Sequence, residues 1–125
     1  MQTTKLVFLG LLYSSFALSK EVGHVELGKV TWYAARSSET TTASGKRLIN
    51  HESVAAHKTL PFGTIVKVTN LKNGKAENVE IIDRGQFSKG RIIDVSVGVA
   101  ERLGFKRDGV VHAKIEVVKK APKKK

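Results

Sequence analysis

The sequence predicts a mainly β domain, closed or nearly closed into a barrel, with one firm helix. Three observations lead there. Short runs of β-branched and aromatic residues recur along the chain between clusters of Ser, Thr, Asn and Gly. An Asn-Gly pair, Asn73-Gly74, joins two of these runs, and no internal repeat is visible. Five or six strands in so short a chain would expose many sheet edges, and closure hides them.

Residues 20–28 read as a short leader. The run KVTWYA (29–34) has the composition of a strand, and the Ser/Thr/Gly-rich ARSSETTTASGKR after it that of a surface loop. His57 follows a small apolar run and precedes Leu60-Pro61-Phe62-Gly63, a turn in which proline fixes the backbone. TIVKVTNL passes through Lys72-Asn73-Gly74 into KAENVEIID as a hairpin, with Asn70 and Asn73 assigned to turns. RIIDVS is another strand-like run. Ser96 then stands where it can cap a helix whose Val99, Ala100 and Leu103 share one face, and Gly104 stops it. VVHAKIEVV alternates Val111, Ala113, Ile115 and Val117 with His112, Lys114 and Glu116, as a half-buried strand does.

A chain of 125 residues, 41% hydrophobic and 26% charged, suits one compact domain and leaves no room for a second. Residues 1–19 read as a signal peptide: Lys5, an apolar stretch from Leu6 to Phe16, and a small-x-small site at Ala17-Leu18-Ser19. The stretch falls short of the ~20 residues that span a bilayer, so no transmembrane segment is expected. Cysteine is absent, which removes both a disulfide framework and a lipid acceptor. The expected product is a soluble protein of the periplasm or cell envelope: a domain over residues 20–118 and a disordered Lys-rich tail over 119–125. Of the formal charge of +11, removing the signal and the tail leaves 16 basic against 11 acidic residues. This balance favours anionic partners such as cell-wall polymers. Nucleic acid is not expected, because no aromatic platform interleaves the basic residues.

No metal-ligand spacing stands out among His24, His51, His57 and His112, and phosphate-cradling glycine loops and G-x-S-x-G elbows do not occur. Neither a metal nor a nucleotide cofactor is expected. The informative stretch is IIDRGQFSKGRIID, where Asp83 and Asp94 end apolar runs with Arg84, Gly85 and Gly90 between them. A buried carboxylate costs several kcal/mol unless it is paired, hydrogen-bonded or protonated. His57, Asp83 and Asp94 are therefore candidates to converge at strand ends.

The motifs TWYA, TASGK, AAHKTLPFGTIVKVTNLKNGK, IIDRGQFSKGRIIDVS and AERLG occur in the order found in the rare lipoprotein A family. The chain resembles that family from Gly28 to about Val118. The resemblance implies a six-stranded double-psi β-barrel with one or two short helices, similar to the barrel domains of expansins and bacterial lytic transglycosylases. It also implies endolytic, non-hydrolytic cleavage of peptidoglycan strands between N-acetylmuramic acid and N-acetylglucosamine, leaving 1,6-anhydro ends, by a monomer. One acid/base carboxylate can serve this reaction, whereas two-carboxylate glycosidases need a second group for water or attack.

Matched to the family's motifs, Asp83 in DRG is the catalytic aspartate and His57 in AAH the active-site histidine. The setting of Asp83 against Ile81 and Ile82 suits an acid, since partial withdrawal from water favours the neutral carboxyl. Arg84 opposes this if its guanidinium turns inward, and it is also a candidate substrate contact. Asp94 is expected to be structural, accepting backbone N–H bonds from a loop across the barrel. Lys46 stands where active members carry an acidic residue after TASG, and is a candidate contact for the lactyl carboxylate or a stem peptide. Trp32 is a candidate stacking face for sugar or a core residue, and Tyr33 is expected in the core. A second reading is an expansin-like module that binds or loosens the wall without breaking a bond. Lys46 favours this second reading, and AAH with DRG favours the enzyme.

Overall fold

A computed structural model describes residues 20–85 and 87–123. Six strands, β1 (Val25–Tyr33), β2 (Val54–His57), β3 (Ile65–Asn70), β4 (Ala76–Asp83), β5 (Arg91–Ser96) and β6 (Val110–Lys119), and one helix, α1 (Val97–Leu103), account for the regular structure. The strands close in the order β1-β5-β2-β4-β3-β6. β1 with β5 and β2 with β4 run parallel, and the other neighbours antiparallel.

Alternation along each strand sends one set of side chains into the barrel. Val30, Ala55, Val66, Ile81, Ile93 and Ile115 are almost wholly buried there, and α1 adds Val99, Ala100 and Leu103 to the same core. Each fully buried Val, Leu, Ile or Phe contributes roughly 1.5–3 kcal/mol, so a core of this kind can hold a disulfide-free domain together. A smaller cluster, Leu48, Val54 and Ile82 with Tyr33 and Ala35, lies apart from it and anchors the loop after β1. Among the described residues, no helix is long and apolar enough to cross a membrane.

Several local expectations change. β1 starts at Val25, within the expected leader, because the antiparallel ladder with β6 (Val25↔Glu116 to Thr31↔Val110) supplies hydrogen bonds that a segment with an exposed Leu27 does not advertise. β2 is buried at all four positions, so it shows no alternation to read. Ser96 precedes the helix but does not cap it with its side chain: its hydroxyl donates to the Glu52 carbonyl at 2.6 Å. Gly104, at φ +82°, does end the helix, and the Asn70 and Asn73 amides both donate to the Leu103 carbonyl left open there. The expected tail begins inside β6 at Lys119, and Ala121 and Pro122 lie against Gly63. The signal peptide over 1–19 and residues 124–125 lie outside the described residues.

Candidate active site

The strand register builds the site. Asp83 of β4 pairs with Ala56 of β2, Ala56 with Asp94 of β5, and Asp94 with Thr31 of β1. Their register neighbours Ile81, Ala55 and Val95 are fully buried in the core, so the row Asp83–Ala56–Asp94–Thr31 faces outward. In the register, Ala56 alone stands between the two aspartates.

Asp83 is held firmly. Its Oδ2 accepts the Tyr33 hydroxyl at 3.0 Å, and its Oδ1 accepts the Ala43 and Arg84 amides, each at 2.9 Å. The Ala43 amide is delivered by a tight turn in which Gly45 takes φ +90°, the Thr42 amide and hydroxyl both donate to the Lys46 carbonyl, and the Ser44 amide donates to the Ile82 carbonyl. This is the local meaning of TASGK. Tyr33 packs on the smaller apolar cluster, and burial, reinforced by the Asp83 charge, pushes its phenol far above the usual range. It remains a neutral donor.

Asp94 is held differently. Its Oδ1 accepts the Thr31 hydroxyl at 2.9 Å, and its Oδ2 lies 4.0 Å from the Arg91 guanidinium, which itself donates to Thr31 Oγ1 at 2.8 Å. The backbone donors expected for a scaffolding aspartate are replaced by this hydroxyl and cation. Burial raises the Asp94 pKa above the usual carboxylate value, with the Asp83 charge adding to it, while Thr31 and Arg91 oppose. Burial thus favours the neutral form of Asp94.

His57 does not join them. It pairs with the core residue Ile93, on the face of β2 opposite Ala56, and is 3% exposed. Its Nδ1 accepts the Thr59 and Leu60 amides, each at 3.1 Å, which assigns the proton to Nε2. Nε2 then donates to Glu26 Oε1 at 3.0 Å, while His24 lies 2.9 Å from Glu26 Oε2. The His57 hydrogen bond, ahead of smaller help from His24 and against burial, lowers the Glu26 pKa to about 2. His57 reaches the site indirectly, through its carbonyl, which accepts Arg84 Nη1 at 3.1 Å. The Arg84 guanidinium lies 4.1 Å over the Phe62 ring, and its Nη1 also approaches the Asp83 carbonyl at 3.4 Å.

Two further candidates also point elsewhere. Trp32 packs against the main core and donates its indole N–H to the Lys106 carbonyl at 3.0 Å, as alternation with Thr31 and Tyr33 requires. Lys46 pairs with Glu80 at 2.7 Å, beside a cavity of about 760 Å³ that Val54 and Ile82 also line. Thr31, Ala43 and Glu26 are the residues that sequence reasoning missed, and Tyr33, expected in the core, packs on the smaller apolar cluster and gives its hydroxyl to Asp83. The i, i+2 spacing of Thr31 and Tyr33 in a strand was the available signal for both.

Two parallel strand pairs in a closed six-stranded barrel, with paired aspartates on its outer face, define a double-psi β-barrel domain carrying an acidic site. Residues 25–115 match the family model described as lytic transglycolase, and the chain belongs to that family. It is 45% identical over 93 residues to the endolytic peptidoglycan transglycosylase RlpA of Neisseria meningitidis serogroup A, an alignment covering 74% of this chain and 39% of that protein. The chain spans between about a fifth and two fifths of the length of the curated relatives it matches. Among solved structures, a Clavibacter michiganensis expansin superposes with a TM-score of 0.62 at 19% identity, covering 80% of this chain and 53% of that one. A Streptomyces papain inhibitor superposes at 0.64 and 22% identity, covering 78% and 97%. These two likenesses concern the fold alone.

Proposed function

We propose that this domain is an endolytic peptidoglycan lytic transglycosylase of the cell envelope, exported by residues 1–19 and acting as a monomer. The observation that carries the reading is the outward row of Asp83 and Asp94, one anchored by three donors and one favoured by burial to hold a proton. The relatives' names support the substrate, and the closed barrel, which leaves no sheet edge free among the described strands, supports the monomer.

The chemistry divides between the two aspartates. Asp94 gives its proton to the glycosidic oxygen as the bond from muramic acid C1 breaks. Asp83, kept in place by Tyr33, Ala43 and Arg84, faces the positive charge that develops at C1. The Asp94 carboxylate then takes the proton of the C6 hydroxyl as O6 bonds to C1, which closes the 1,6-anhydro ring and restores the acid. Water is not consumed. His57 acts as a positioning residue, since its carbonyl holds Arg84 beside Asp83.

One observation favours a second reading, an expansin-like module that grips the wall without cleaving it. Lys46 occupies the position of the acidic residue expected in active members, and its charge is already engaged by Glu80. Mass spectrometry of products from purified, peptide-free glycan strands decides between the two. Anhydro ends are expected, whereas bound but uncut strands would leave the binding module.

A further inference from the structure

In the closed strand order, β6 stands across the barrel from β2, the strand at the centre of the acidic row. The wall built by β1, β6 and β3 has a character of its own. Leu27 pairs with Lys114 and Val25 with Glu116, Glu116 pairs in turn with Lys67, and Lys29 stands one outward position further along β1. The alternating neighbours Val30, Val68 and Ile115 are core residues, so these six side chains face outward.

Two observations set this wall apart. Leu27, at 68%, is the most exposed of the large apolar residues described, and Val25 beside it is 45% exposed. Val22, just before β1, is exposed as well. Lys29, Lys67 and Lys114 enter none of the ion pairs among the described residues, whereas Lys46, Lys72, Lys106 and Lys120 each pair with a carboxylate. Glu116 is the single carboxylate among the six. Free cations thus surround uncovered apolar tips on a convex wall.

We propose that this wall docks on the surface of an anionic lipid bilayer. Lys29, Lys67 and Lys114 meet lipid phosphates, and Leu27 and Val25 pass just beneath the headgroups, the arrangement in which apolar burial and charge attraction add. A second copy of the chain would set the same cations against one another, and a soluble polyanion would leave Leu27 and Val25 in water. Docking through β6 also has a direction: β2, across the barrel, turns away from the lipid, so Asp83 and Asp94 on its two neighbours face outward from the membrane. The contact asks nothing of their chemistry.

Co-sedimentation with vesicles of about one part phosphatidylglycerol to two parts phosphatidylcholine tests the proposal. The chain from Lys20 to Lys125 is used, because all six strands lie within residues 25–119 and the apolar stretch at 6–16 would enter lipid by itself. Binding is expected to weaken with salt and to be at least about tenfold weaker on phosphatidylcholine alone. Lys29→Gln, Lys67→Gln and Lys114→Gln together should lower it about a hundredfold, at about fivefold per lysine. The same charge removed elsewhere, by Lys46→Gln, Lys58→Gln and Lys106→Gln, should lower it less than about fivefold in all. Val25→Thr with Leu27→Thr, which keeps every charge, should lower it about tenfold. Absence of binding to the anionic vesicles would overturn the proposal. So would an equal loss in the two lysine triples, which would mark net charge alone, or an unchanged affinity in the threonine pair. Poly(glycerol phosphate) held as tightly as the vesicles would equally overturn it, by assigning the wall to a polyanion. The lysine and threonine variants share no residue, so a folding failure in one, seen by thermal unfolding, leaves the other to decide.

Discussion

Glu26→Gln probes how the buried His57 is held. In the folded protein the His57 hydrogen bond draws the Glu26 pKa from 4.5 to about 2. At ~1.4 kcal/mol per unit, such a drop is worth about 3 kcal/mol at most. The Glu26 side chain is 25% exposed, and solvent screening reduces this to roughly 1–2 kcal/mol. Because the folded pKa is depressed, the stabilisation is present above the unfolded value of 4.5 and drains away as pH falls towards 2. Near neutrality the variant should therefore unfold about 1–2 kcal/mol more easily, a melting shift on the order of 5–10 °C for a domain of this size. Between pH 5 and 2 the two proteins should converge. Urea unfolding across that range is the assay, and Glu77, whose pKa is also lowered, chiefly by Arg102, cancels in the difference. A variant that tracks the wild type at every pH would show that the Glu26–His57 contact contributes nothing, and that His57 is held by the Thr59 and Leu60 amides alone.

Asp94→Asn should cut formation of anhydro ends by roughly 10²–10⁴, the range for losing a general acid/base, and should abolish the decline in turnover as pH rises through the raised Asp94 pKa. Tyr33→Phe removes one of the three donors to Asp83, so turnover should fall by about tenfold while the melting temperature changes little, read from product mass spectra and calorimetry. Lys46→Glu sets a carboxylate against Glu80, but at an exposed pair this should cost less than ~1 kcal/mol in urea unfolding. If Lys46 is what weakens the enzyme, the same variant should release more anhydro ends.

The barrel is legible in the sequence where local chemistry and tertiary pairing agree. Asn73-Gly74, the alternation of β6 and the Gly104 stop can each be read directly, because turn geometry and period 2 are written in neighbouring residues. β2 cannot, since it is buried at all four positions, and neither can the start of β1, whose alternation leaves the apolar Val25 and Leu27 exposed and whose hydrogen bonds come from a strand far away in sequence. The site shows the same division. Asp83 and Asp94 stand out because charged residues seldom end isoleucine runs, but the role of each depends on partners 50 and 63 residues distant, Tyr33 and Thr31. Grouping His57 with them rests on the tendency of strand ends to gather in space. One residue of β2 decides otherwise: Ala56 faces the carboxylates, so His57 must face the core.

Both aspartates sit on strands, and β2 lies between them, hydrogen-bonded on either side. The spacing of the carboxylates is thus part of the barrel's own closure and does not wait for a substrate to assemble it. The 35–52 segment, by contrast, touches Asp83 through the Ala43 amide, a contact that almost any side chain at residue 43 could preserve. Outside the 42–46 turn that delivers this amide, the loop can therefore be lengthened or recharged while the acidic pair keeps its geometry. Loop exchange on this barrel is accordingly practical where the 42–46 turn and strand positions 31, 33, 56, 83 and 94 are left untouched.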